Sequence, residues 1–133
     1  MADIAYLTLA DVLALHAMIM ERTGFKPAPL RDEGLLESTI MRPQMSAHYE
    51  SSDLIRQGAL LATGISQSQA FLDGNKRTAF VAFDVFLRLN GLRYAGDPIE
   101  LAKQLEIITP MSEDSRAKTE QFVLWLREHV TKL

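Results

Sequence analysis

The densest chemistry in this chain lies at residues 69–77, QAFLDGNKR. A carboxylate, Asp73, is followed by Gly74, Asn75 and the adjacent cations Lys76 and Arg77, and an apolar run begins directly after them. The first amides of a helix have no internal partner and sit at the positive end of its dipole, so a helix opening here would form an anion site. Gly74 allows the backbone to approach a ligand closely, and Asn75 can cap the helix or donate to an oxygen. Lys76 and Arg77 add charge-assisted donors, Arg77 with a planar fork that grips two oxygens. Asp73 suits Mg2+ beside phosphates, because magnesium takes one or two carboxylates and fills its remaining positions with ligand oxygens. Phe71 is expected to plug into the core and fix the loop. The bland alternative is an ordinary Asp-Gly turn with a solvated Lys-Arg pair. A P-loop is excluded, since no strand precedes the segment and the spaced first glycine is missing.

Positioning such a loop requires a helix on either side, and the flanking sequence predicts both. SDLIRQGALLATGIS has helical period and ends near residues 66–68; NKRTAFVAFDVFLRLNG starts near Asn75, with Phe80, Phe83 and Leu87 at helical spacing and Asn90-Gly91 as its cap. Upstream, Thr8 and Asp11 form a capping pattern for LADVLALHAMIMERTG, with Gly24 as its stop. After a Pro-containing loop, RDEGLLESTIMRP is predicted to end before Pro43. Downstream, GLRYAGDP reads as a short extended connection or small flap. Asp97, Pro98 and Glu100 then open a fifth helix that stops at Pro110, and a last amphipathic helix spans about Ser112 to Val130. Strand-type alternation is nowhere sustained. The expected fold class is all-α, about six helices in one bundle-like domain over residues 1–133.

The bulk numbers narrow the function classes. A 133-residue chain needs no metal or disulfide staple, and the absence of cysteine removes thiol catalysis and Cys-based zinc sites. The formal net charge of −3 argues against a DNA binder held by broad phosphate neutralisation, although one local cationic pocket remains compatible with it. No basic leader precedes the first apolar stretch and no apolar run reaches membrane-spanning length, so a cytoplasmic protein without a membrane partner is expected.

QAFLDGNKR resembles the Fic-family signature, His-x-Phe-x-Asp/Asn-Gly/Ala-Asn-x-Arg. The lysine between Asn75 and Arg77 is similar to that of the death-on-curing toxin branch, where nucleotidyl-transferring Fic proteins generally carry glycine. LTLADVLALHAMIMERTG, LRDEGLLESTIMRPQ and FLRLNGLRY extend the likeness over almost the whole chain. The resemblance implies a Fic-like fold and a toxin of a toxin–antitoxin pair. That branch uses ATP and Mg2+ to phosphorylate a hydroxyl on elongation factor Tu, and its cognate antitoxin lays a C-terminal segment into a groove on the toxin. Carried over by position, Asp73 would handle Mg2+ or the attacking hydroxyl, Gly74, Asn75, Lys76 and Arg77 would hold phosphates, and Phe71 would be structural.

The departure is Gln69, which stands where the family has its catalytic histidine. Glutamine keeps the reach and the hydrogen bonds but cannot carry a proton, and general-base help contributes about two to four orders of magnitude. Three explanations stay open: a natural variant with another base, a natural variant that only binds, or an introduced substitution. The alternatives to phosphoryl transfer are a catalytically silent Fic-fold binding protein and an AMP-transferring one. Asp73 is a substitute proton acceptor in the same loop. His16 is the other candidate to replace the base, though it reads first as a semi-buried core histidine with one hydrogen bond; His48 reads as a loop residue, and His129 as part of a last helical turn. Asp84 is explained by Arg88 four residues on. Arg31, Asp32 and Glu33 read as a solvated helix start near the cleft, and Met18, Met20, Met41 and Met45 as core filler or groove lining.

Overall fold

The computed structural model describes residues 3–24 and 29–133. Part of the Pro-containing loop expected after the first helix lies outside them. Six helices and one small two-stranded antiparallel sheet occur among the described residues: α1 Leu9–Arg22, α2 Glu33–Glu50, α3 Leu54–Ser68, α4 Asn75–Leu89, β1 Leu92–Tyr94, α5 Pro98–Ile108, α6 Ser115–Arg127 and β2 Val130–Lys132. The all-α expectation holds.

Local capping chemistry sets most helix starts. Thr8 Oγ1 accepts from the Asp11 amide at 3.1 Å while Asp11 Oδ2 accepts from the Thr8 amide at 2.8 Å, a complete capping box for α1. Asp32, Asp53 and Asp97 accept from the first-turn amides of Leu35, Arg56 and Ile99. Glu100 does not complete a box for α5; its carboxylate meets Lys103 instead.

α3 is the central helix, buried from Gln57 to Ser66 except at Leu60 and packed against α2, α4 and α6. Two glycines permit this closeness. A Cβ at Gly64 would lie 2.7 Å from Thr39 of α2, and one at Gly58 would lie 3.2 Å from Phe83 of α4. Its own Leu61 and Ile65 join Phe83, Phe86, Leu105 and Phe122 in one core.

Longer-range packing overturns further expectations. α2 does not end before Pro43 but runs through it to Glu50, closing at Ser51 in the left-handed region. Proline removes the bond to the carbonyl four residues back and crowds that carbonyl, but Pro43 is buried on the side of α2 where Thr39 meets α3, and that packing holds the helix together across the gap. The segment after Gly91 is not a free flap. Leu92, Arg93 and Tyr94 pair antiparallel with Lys132, Thr131 and Val130. For the same reason α6 stops at Arg127, because the β-branched Val130 and Thr131 are used in the strand pair.

Candidate functional site

The loop between α3 and α4 is held from three sides. At its start, Gln69 takes the left-handed conformation (φ 52°) that closes α3, and its Nε2 donates to the Ser66 carbonyl at 2.7 Å. Ala70 and Phe71 then run antiparallel to residues 29–32. The Ala70 carbonyl accepts from the Arg31 and Asp32 amides at 2.6 and 3.3 Å, and the Leu72 amide donates to the Pro29 carbonyl at 3.1 Å. The Arg31–Glu33 segment, read from the sequence as a solvated helix start, therefore supports the loop through its main chain while the Asp32 side chain caps α2.

From beneath, Phe71 is 2% exposed and its ring stacks on His16 of α1, with centroids 3.7 Å apart and planes within 8°. His16 Nε2 lies 2.9 Å from the Asp73 carbonyl. From behind, Asn75 clasps Phe71: its Oδ1 accepts from the Phe71 amide at 3.1 Å and its Nδ2 donates to the Phe71 carbonyl at 2.8 Å. Asn75 is 7% exposed and its side chain is spent on the loop, so what it can still offer a ligand is its main-chain N–H, which no side chain caps.

Gly74 is required twice. It sits at φ 84°, and an added Cβ would lie 2.9 Å from Met20 Sδ and 3.3 Å from His16 Nε2. It is the residue preceding α4, with no side chain to cap the helix, which leaves the first-turn amides of α4 available to a ligand.

The result is a cavity of about 270 Å3 lined by Gln69, Leu72, Asp73, Gly74, Asn75, Lys76 and Arg77. Every residue singled out in the motif, apart from the buried Phe71, borders it. Asp73, Lys76 and Arg77 are exposed, and the Asp73 Oδ1 accepts from the Gly74 amide at 2.7 Å. Lys76 and Arg77 stand at the positive end of the α4 dipole without an ion-pair partner among the described residues. Two cations in that position repel the dipole by a few tenths of a kcal/mol each, a cost that a bound anion would reverse. Lys76 and Arg77 also border a second, largely apolar cavity of about 440 Å3 between α1, α4 and α5, with Ile19, Phe80, Val81 and Leu105 in its wall.

A model of the Fic/DOC family matches residues 6–87, which run from the α1 cap to the last turn of α4 and include the whole loop. The chain belongs to the Fic/DOC family. Two Doc proteins are similar to it. Toxin Doc of Mycolicibacterium smegmatis (strain ATCC 700084 / mc(2)155) is 37% identical over 70 residues, which covers 51% of this chain and 54% of that protein. Protein kinase doc of Escherichia phage P1 is 36% identical over 93 residues, covering 69% of this chain and 72% of that one. The match thus spans about half the length of the first relative and about seven-tenths of the second. The Fic-like fold expected from QAFLDGNKR agrees with the six helices observed.

His16 is 3% exposed with one hydrogen bond, to the loop itself. His48, expected in a loop, lies instead in the last turn of α2 because that helix runs on past Pro43; His129, expected in a last helical turn, falls in the turn after α6 and stacks on Trp125; Asp84 pairs with Arg88 as expected. Met20 is buried against Gly74, whereas Met18, Met41 and Met45 are exposed. The main-chain pairing of 29–32 with the loop, and the Asn75 clasp, had no signal in the sequence.

A magnesium ion fits this site only in company. Among the described residues no cluster of three or more His, Cys, Asp or Glu exists, so a metal would rest on Asp73 and on oxygens of a bound phosphate. That donor set is the one magnesium tolerates, since it keeps water and ligand oxygens in most of its positions.

Proposed function

We propose that this chain is a death-on-curing-type toxin of a toxin–antitoxin pair, which transfers phosphate from ATP to a protein hydroxyl, by resemblance one on elongation factor Tu. Family membership supports the reading, as do the two relatives, one named a toxin and the other a protein kinase. The observation that carries it is the α4 N-terminus: first-turn amides without a side-chain cap and two exposed cations beside one exposed carboxylate, around a cavity of about 270 Å3.

In this mechanism the amides of Asn75 and Lys76 and the Lys76 and Arg77 side chains bind the phosphates and balance their charge. Phosphoryl transfer proceeds through a loose transition state that asks chiefly for positioning and charge stabilisation. Mg2+, when bound at Asp73, would neutralise phosphate charge. Gln69 orients by hydrogen bonding but takes no proton. Asp73, four residues along the same loop, is the group able to accept the proton of the attacking hydroxyl. Activity is accordingly reduced relative to a histidine-bearing site.

The apolar cavity between α1, α4 and α5 suits a C-terminal segment of a cognate antitoxin, docked as an amphipathic helix in a groove. A cytoplasmic location goes with a translation-factor substrate. The net charge of −3 speaks against DNA as partner, and no described helix is long and apolar enough to cross a membrane.

The Gln69 side chain favours a second reading. Its amide is turned onto the Ser66 carbonyl, which suits a silent protein that binds nucleotide or partner without transferring anything. Calorimetry tests what both readings share. Magnesium-dependent ATP binding is expected, weakened at least tenfold by Arg77→Ala, which removes a bidentate charged contact. Absence of binding at millimolar ATP would refute the cradle itself.

A further inference from the structure

We propose that His16 is a positioning residue for the phosphate-binding loop, acting through a single peptide plane. A carbonyl only accepts hydrogen bonds, so the 2.9 Å contact to the Asp73 oxygen requires that His16 carry its proton on Nε2. In a trans peptide the carbonyl and the following N–H point in opposite directions. The carbonyl of the 73–74 peptide is held by His16, and the N–H of the same peptide donates to Asp73 Oδ1 at 2.7 Å. Fixing the carbonyl on the α1 side therefore turns the N–H to the other side, and with it the Asp73 carboxylate. The ring has no freedom to drift. It is 3% exposed, stacks nearly parallel on Phe71, and lies 3.3 Å from the space that a Cβ on Gly74 would take. α1 thus supplies no group to the cavity surface yet sets the orientation of the carboxylate that borders it.

Two substitutions separate the parts of this contact. His16→Phe keeps the flat stacking surface and loses the donor. His16→Gln keeps a donor at the reach of Nε2 and loses the stack. The role in ligand binding rests on the function proposed above; the hydrogen bond and its effect on the loop do not. With uniformly 15N-labelled protein, long-range 1H–15N spectra are expected to show the His16 proton on Nε2. The Gly74 amide is expected to exchange at least tenfold faster in His16→Phe and near the parent rate in His16→Gln. Mg·ATP affinity is expected to fall about tenfold in the Phe variant, even if its Tm equals or exceeds the parent's, and to stay within about threefold in the Gln variant.

A proton on Nδ1 would overturn the proposal. So would unchanged Gly74 exchange in His16→Phe, or an affinity that simply follows Tm across both variants. If the parent itself binds no ATP, the proposed function fails, while the tautomer and Gly74 exchange still decide the role of His16. Should the Phe variant not fold, the parent tautomer and the Gln variant carry the test.

Discussion

Replacing Asn75 by alanine separates a structural clasp from a direct phosphate contact. The sequence alone suggests a capping or ligand-binding side chain; loss of a ligand contact would weaken ATP binding with little change in stability, and loss of a cap would cost about 0.5–2 kcal/mol. In the structure both ends of the amide are bonded to the Phe71 main chain, within a residue that is 7% exposed. Alanine would strand a buried N–H and a buried C=O, at about 1–3 kcal/mol each, and water entering the space left behind would recover part of that. A net loss of about 2–4 kcal/mol is expected. With an unfolding entropy of about 2.1 cal/mol/K per residue, a 133-residue chain has about 0.28 kcal/mol/K, so Tm should fall by about 7–14 °C. Asn75→Asp retains the acceptor for the Phe71 amide but sets a carboxylate against its carbonyl, and should lose at least as much. Thermal unfolding by circular dichroism is sufficient as the assay. An Asn75→Ala protein with Tm within 2 °C of the parent but impaired ATP binding would refute the clasp.

Other perturbations follow from the same geometry. Gly74→Ala should cost about 1–3 kcal/mol, from a non-glycine residue at φ 84° together with the approach to Met20 and His16, and should lower Tm by several degrees; unchanged stability would show that the loop tolerates another backbone. The Arg56–Glu120 and Arg127–Asp53 pairs, which tie α3 and its cap to α6, predict an acid-sensitive contribution. For Asp53, burial raises the carboxyl's pKa, but hydrogen bonds and charge from Arg127 and Arg56 outweigh it and hold the pKa below its usual value; for Glu120, the Arg56 hydrogen bond does so. A carboxylate depressed on folding stabilises above its unfolded pKa, about 4, and loses that contribution as pH falls through the lower folded value. Because these groups are about half exposed, each pair is worth about 0–1 kcal/mol. The Tm difference between the parent and Arg56→Met should be present at pH 6 and shrink toward pH 3; a constant difference would contradict the assignment.

Much of the fold and site was legible because its signals are local. The Thr8–Asp11 box, the Asn90-Gly91 stop of α4 and the contiguous QAFLDGNKR loop are read within a few residues, and each appears where expected. What stayed hidden depends on partners distant in sequence. Pro43 is a local stop signal overridden by packing of α2 on α3. Strands of three residues leave no pattern, and the partner of Leu92 is Lys132 at the far end of the chain. The support of Ala70 by Arg31 and Asp32 runs through main-chain atoms, which no side-chain pattern reports. His16 was legible as a buried histidine with one hydrogen bond, but not as one bonded to the loop, because the contact joins residues 57 apart.

The central claim is that the phosphate cradle is intact and that Gln69 limits what leaves it. The direct measurement gives γ-32P-ATP and α-32P-ATP, with Mg2+ and purified elongation factor Tu, to this protein and to its Gln69→His variant. The account predicts transfer of γ-label by the variant, with a rate about two to four orders of magnitude lower for the parent. Transfer of α-label would reassign the reaction to AMP transfer. Silence from both proteins, with ATP bound, would contradict the account and leave a binding role in its place.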